Sequence, residues 1–226
     1  MPRPPGTSPR FDAAEPLTIV LLRHGVTPLT LSGAYSGGGV PGPSLTGHGR
    51  MQAARAADLV HRVGRDLWQD LPQPREIVAS PMVRTQETAA PVAHRLGRGI
   101  ETGPAFAECD FGEWEGLTAA EIEERWPGEA RLWHETGTFQ PPGGESVAQV
   151  GERVWGGVRT LLDAGVDRTV VVVSHAVSVR ALIGTALGAP ASHWSRIRLA
   201  PASLSIVRVW RDETAEVSVV GIPCEI

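Results

Sequence analysis

Two histidines in this sequence directly follow unbroken apolar runs. Arg23-His24-Gly25 comes after Leu17–Leu22 (LTIVLL), and Ser174-His175 comes after Thr169–Val173 (TVVVV). A third run, Ile77–Ala79, leads into Ser80-Pro81 and then Arg84. A histidine after a strand is most often structural. Two of them at the ends of such runs, with Arg23 beside one and Arg84 after the third run, argue for chemistry on an anion. The arginine fork matches phosphate oxygens with two parallel hydrogen bonds and never loses its charge. Positive neighbours disfavour the imidazolium, so a histidine among them stays neutral and nucleophilic. Its attack on phosphorus would give a phosphohistidine and split one difficult displacement into two easier ones. Phosphate-monoester hydrolysis can demand accelerations up to ~10²¹-fold, most of it from positioning and charge stabilisation. No carboxylate or thiol stands at metal-ligand spacing beside His24 or His175, so no metal is expected there.

Residues of this kind need a scaffold that brings distant segments to one edge. Unbroken apolar runs are the signature of strands covered on both faces. Helical patterns separate them. One starts near Thr46 and carries Met51, Ala54, Leu59, Val63 and Leu67. One starts at Ser80-Pro81, a good N-cap followed by proline at the first helical position. A third aligns Val147, Val150, Val154, Val158, Leu161 and Leu162, and a fourth follows His175. The alternation predicts an α/β three-layer sandwich: a mostly parallel central sheet with helices on both faces. Leu204–Trp210 and Val217–Ile222 flank a polar turn and predict an antiparallel hairpin at the sheet edge. Residues 103–144 are irregular, hold three of the seven tryptophans and a short helix near Thr118–Trp126, and read as an inserted cap. One domain, 17–226, is expected behind a proline-rich disordered tail, 1–16. In such sheets ligands bind beyond the carboxyl ends of the strands. His24, His175, Arg23 and Arg84 should meet there, together with two helix N-termini offering free N–H groups.

The segments LLRHGVT, SPMVRTQETA, AECDFGEWEG, PPGGES and VVVSHAVSVRAL, in this order, resemble the histidine phosphatase superfamily, in the branch that includes cofactor-dependent phosphoglycerate mutase. The resemblance runs from about Leu17 to Trp210. It implies that His24 is the phosphorylated nucleophile, Arg23 and Arg84 are phosphate ligands, and His175 hydrogen-bonds the phosphoryl oxygens. It further implies that Glu108 protonates the leaving oxygen and then activates water. Its neighbours Asp110, Glu113 and Glu115 are competitors that residue pattern alone does not separate from it. Ala176 stands where the acid-phosphatase and phytase branch carries an aspartate after the second histidine, which disfavours that branch. Two positions depart from the family pattern: Thr30 replaces an asparagine and Val26 a glutamate. Thr30, whose hydroxyl can still donate to a phosphate oxygen, is expected at the substrate, as are Ser36 and Gly37. The Tyr35-Ser36-Gly37 run is similar to that of α-ribazole-phosphate phosphatases. The glycine run Gly37–Gly39 reads as a mobile flap beside the pocket. The tryptophans Trp114, Trp126 and Trp133 read as packing under the cap, and the remaining histidines, His134 among them, as surface or packing residues.

Composition narrows the alternatives. All 21 basic residues are arginine, because the sequence has no lysine, and it has no asparagine either. A P-loop and a Schiff-base enzyme are thereby excluded. A net charge of −4 and the lack of a basic patch argue against nucleic acid. Cys109 and Cys224 fit neither a disulfide framework nor a zinc cluster, as expected of a reducing, cytoplasmic setting. No apolar run approaches the ~20 residues of a membrane span. The expectation is a phosphatase of a small phosphorylated metabolite, without cofactor, with room for homodimer formation. The rivals are a bisphosphate-primed phosphoglycerate mutase using the same residues, and a phospho-ligand sensor that has lost turnover.

Overall fold

The computed structural model describes residues 14–224. The expected tail falls mostly outside them. Two of its last three residues are tied to the domain: Ala14 O accepts from Trp210 Nε1 at 2.9 Å, and Pro16 O from the Asp167 N–H at 3.0 Å.

Six strands form one sheet. They are β1 (Leu17–Arg23), β2 (Pro74–Ala79), β3 (Glu101–Thr102), β4 (Arg168–Ser174), β5 (Leu204–Val209) and β6 (Ala215–Ile222), in the order β3-β2-β4-β1-β5-β6. The pairings of β1 with β4, β2 with β4 and β2 with β3 are parallel. β5 runs antiparallel to β1 and carries β6 as the edge of the hairpin. The central strands β1 and β4 are buried on both faces, as their apolar runs require.

Helices cover both faces. On one side α2 (Gly47–Arg62) and α3 (Val83–Leu96) pack over Val20, Leu22, Ile77, Val171 and Val173. On the other, α6 (Val147–Asp163) and α7 (Ala176–Ala186) cover Ile19, Leu21, Val170 and Val172. Thr46 and Ser146 cap α2 and α6 with side chains that accept the backbone N–H groups of Gly49 and Gln149.

Three expectations need correction. The buried stripe of α2 is Gln52, Ala53, Ala56, Ala57 and Val60, whereas Met51 is 55% exposed. The apolar bulk in its sequence misled; the small alanines are what face α3 and the sheet. Helix α3 begins at Val83, with Met82 in the cap position and no side-chain cap. Ser80 does not cap it because its hydroxyl is taken up by His175, 2.7 Å away. The hairpin also closes sooner than expected, with β6 starting at Ala215.

The segment 103–144 lies across the α6 and α7 side of the sheet. It holds 3₁₀ turns at Pro104–Phe106 and Gly112–Trp114, α4 (Ala119–Arg125), and an unanticipated α5 (Glu129–Thr136). Trp114 is fully buried there. A short α1 (Pro28–Ser32), also unanticipated, follows β1 and is closed by reciprocal bonds between Thr27 and Thr30. No helix of the described residues is long and apolar enough to cross a membrane.

Candidate active site

Parallel register sets the site. Arg23 pairs with Ser174, and Ala79 with Val173, so the next residues of three strands emerge together: His24, His175 and Ser80. Backbone bonds extend that register, His24 N–H to Ser174 O and Ser80 N–H to Val173 O, both at 3.0 Å. All three residues are buried, and the two imidazole centroids lie 5.3 Å apart. A Cβ on Gly25 would sit 2.5 Å from Gly49 O, so only glycine lets the chain turn under α2 directly after His24.

The two imidazoles are held as complementary tautomers. His24 Nδ1–H donates to Gly25 O at 2.7 Å, which leaves the Nε2 lone pair free. Around His175 the order reverses. Ser80 Oγ lies 2.7 Å from His175 Nε2, and with the serine as donor the ring proton sits on Nδ1, the tautomer we assign. That Nδ1 is buried without a partner among the described residues. Burial, then Arg84 and Arg23, holds the His24 pKa well below the usual imidazole value. Burial, then Arg84, His24 and Arg23, does the same to His175. Both rings are neutral near pH 7.

The arginines bring unmet donors. Arg84, in the first turn of α3 and fully buried, donates Nη2 to Ser36 O at 2.9 Å and to Gly37 O at 3.1 Å. Its Nε and Nη1 have no partner among the described residues. Arg23 donates Nη1 to Leu199 O at 2.7 Å, and its Nε is likewise buried and unpartnered. Ser36 Oγ is a further buried atom without a partner. A buried donor left unpaired costs ~1–3 kcal/mol, more when charged. Both arginines are near enough for their charge to act on His24, and of these residues Arg23 and Ser36 line the cavity with it while Arg84 and His175 lie behind that wall.

Glu108 approaches from the segment 103–144. Its carboxylate accepts the N–H of Cys109 at 3.0 Å and those of Val177 and Ser178 at 3.3 Å. The α7 N-terminus thus gives its Val177 and Ser178 N–H groups to Glu108, and that of α3 gives its Val83 N–H to Pro41 O at 3.1 Å. Among the four acids of the ECDFGEWEG segment, only Glu108 lines the cavity. Asp110 accepts from Gly112 N–H, Glu115 from Gly37 N–H at 2.7 Å, and Glu113 is exposed.

The cavity beside His24 measures about 350 Å³, and its wall includes Arg23, Thr30, Ser36, Glu108 and Arg180. Gly37 is not in that wall. Its carbonyl and N–H instead hold Arg84 and Glu115, so its place is behind the pocket. Thr30 lines the cavity, with its Oγ1 bonded to Thr27 in the α1 cap. The run Gly37–Gly39 is not a free flap. It lies flat on Glu108–Asp110, where added Cβ atoms would come within 2.5–2.9 Å of backbone and carboxylate oxygens, and Gly38 N–H donates to Cys109 O at 3.0 Å. Trp133 belongs to the wall, and so does His134 at the mouth, its Nε2 3.2 Å from Tyr35 Oη. Sequence reasoning missed Ser80, Arg180, His134 and Arg153. For Arg180 a signal existed: it follows His175 by five residues and shares a helix side with Ala176 and Val177.

Among the described residues no group of three or more histidine, cysteine or acidic side chains could hold a metal ion. A larger cavity of about 770 Å³ lies elsewhere, between α2 and Ile222–Cys224, away from all these side chains.

The model of the histidine phosphatase superfamily (branch 1) matches residues 19–221. A bifunctional protein of Mycobacterium tuberculosis is 37% identical over 217 residues, covering 95% of this chain and 57% of that protein. The chain thus spans little more than half of that relative. Phosphoserine phosphatase 1 of Hydrogenobacter thermophilus is 30% identical over 192 residues, covering 84% of this chain and 86% of that protein. Among solved structures, the complex of a mycobacterial glucosyl-3-phosphoglycerate phosphatase with inorganic phosphate superposes with a TM-score of 0.78 at 29% identity. The match covers 92% of this chain and 99% of that one.

Proposed function

This chain belongs to the histidine phosphatase superfamily, and on that premise we propose that it is a phosphomonoesterase acting on a small phosphorylated metabolite through a phosphohistidine at His24. One observation carries the reading: buried polar atoms of Arg23, Arg84, Ser36 and His175 without partners lie in the neighbourhood of a neutral imidazole whose Nε2 is free. Three equatorial phosphoryl oxygens would meet those donors. His24 Nε2 then attacks phosphorus as the bond to the leaving oxygen breaks, and Glu108 gives that oxygen a proton, since an alkoxide leaves poorly. Water next attacks the phosphohistidine, Glu108 takes the water's proton, the P–N bond breaks, and neutral His24 returns with inorganic phosphate as product. His175 Nδ1–H and the arginine forks act on the charge that develops on the phosphoryl oxygens. Relatives named for activity on phosphoserine and on glucosyl-3-phosphoglycerate favour a small metabolite as substrate.

The test is phosphate release from phosphoserine, sugar phosphates, nucleotides, α-ribazole phosphate and p-nitrophenyl phosphate, with an alkaline quench to retain phosphohistidine. Wild type should release phosphate from at least one compound and carry a trapped phosphoryl group, and His24→Ala should do neither. Release from none overturns the phosphatase reading. Undiminished release by His24→Ala overturns the mechanism while leaving the class intact. Bisphosphate-dependent conversion of 3- to 2-phosphoglycerate in place of release would make the protein a mutase.

A further inference from the structure

Beyond the phosphoryl position the cavity wall carries one more fixed cation, Arg180. It sits on α7, three and four residues after Val177 and Ala176, which also line the cavity. Its Nε donates to Ile197 O at 2.8 Å, which pins the guanidinium plane. No described carboxylate makes an ion pair with it, and its two terminal nitrogens have no hydrogen-bond partner among the described residues. Glu108 is near enough to feel its charge. That carboxylate is nevertheless committed to the Cys109, Val177 and Ser178 N–H groups. Arg180 lines the cavity together with Trp133 and His134, residues that lie apart from the Arg23 and His24 end of the wall in sequence and come from the segment 103–144. Arg180 is half-buried, with Nε fixed on Ile197 O and no carboxylate paired to the terminal nitrogens, so a ligand in the cavity can supply the missing partner. The phosphoryl group already has Arg23 and Arg84.

We infer that Arg180 is a specificity-determining residue whose terminal nitrogens receive a carboxylate on the leaving group, so that the preferred substrates are phosphomonoesters of carboxylated alcohols. This rests on the phosphatase reading and deepens it. A planar carboxylate matches the free edge of the fork in two parallel hydrogen bonds, which a hydroxyl does not.

Matched substrates test it. 3-Phosphoglycerate and glycerol 3-phosphate differ by a carboxylate in place of a hydroxymethyl group, and phosphoserine and phosphoethanolamine differ by a carboxylate alone. Wild type should favour the carboxylated member of each pair at least tenfold in kcat/KM. Arg180→Gln should erase that preference through KM, the carboxylated substrate losing at least tenfold more than its partner. Arg180→Lys should restore part of it. Equal losses on both members, in kcat and with a displaced pH profile, would mean that Arg180 serves the phosphoryl group or Glu108, and would overturn the inference. So would a wild type with no preference. If neither these compounds nor p-nitrophenyl phosphate is hydrolysed, the phosphatase reading fails separately. Calorimetric titration with 3-phosphoglycerate and glycerol 3-phosphate then decides the carboxylate site by itself, equal affinities overturning it.

Discussion

At the scale of single residues, the site depends on donors with fixed directions more than on charge. Arg84 shows this most sharply. One arm of its fork holds the Ser36 and Gly37 carbonyls, and the other arm and Nε remain free. A lysine can place one ammonium in one of these positions but cannot do both jobs. Arg84→Lys should therefore lower kcat by roughly 10²–10³-fold, the scale of removing one aimed donor from a transition-state site. The formal charge is unchanged in that variant, so steady-state kinetics showing near-normal turnover would mean that charge alone suffices. The sequence made Arg84 and His24 legible because their neighbours repeat a known pattern. It could not disclose the tautomers. Those depend on Gly25 O and on Ser80, which lies 95 positions from the ring it serves.

At the scale of elements, the question is what holds Glu108, which belongs to no helix or strand. The answer is a clamp built from α6. Arg153 donates to the carbonyls of Ala105 at 2.9 Å, Ala107 at 3.0 Å and Glu108 at 3.2 Å. Its fork is also paired with Glu145, at 2.9 and 2.8 Å, and Glu145 in turn accepts the Asp110 N–H. From the other side, Gly37–Gly39 lies against the same strap with no side chain between. Arg153→Met should leave three carbonyls and one carboxylate without their partner, and the strap should shift. We expect kcat to fall at least tenfold with KM for p-nitrophenyl phosphate changed less, and a Tm loss of several degrees. Arg153→Lys should recover part of the stability but less of kcat, since one ammonium cannot span three carbonyls. A variant that loses Tm alone, with kcat intact, would show that the clamp only stabilises. Periodicity could find α6, because its stripe of valines is regular, and Ser146 announced its start. It could not find the clamp, which joins Arg153 to carbonyls some 45 residues earlier. The same limit explains the false start of α3: Ser80 reads locally as a cap, and only the fold reveals that His175 claims its hydroxyl.

At the scale of the whole molecule, the layered α/β architecture was legible because its two central strands announce themselves as unbroken apolar runs. That burial has a consequence for stability. His24 and His175 are buried at the centre of the sheet edge, and burial together with Arg84 keeps the charged form of each out of the folded state. In the unfolded chain both titrate near the ordinary value of about 6.5. Below that pH the unfolded chain binds protons that the folded chain refuses, so stability rises with pH and is lost on acidification. Each histidine contributes a slope approaching ~1.4 kcal/mol per pH unit once the pH is below about 6. Carboxylates such as Glu145, held down by Arg153, act in the same direction but lower, as the pH falls through the usual carboxylate range near 4. The two windows are separable. Urea melts between pH 7.5 and about 5 should show stability falling steadily in the wild type. His175→Gln should be less stable at pH 7.5 for want of its bonds, yet fall less steeply with pH, by one proton's worth of slope. Equal slopes in the two proteins would mean that His175 accepts a proton in the folded state, and the neutral pair proposed for catalysis would be wrong.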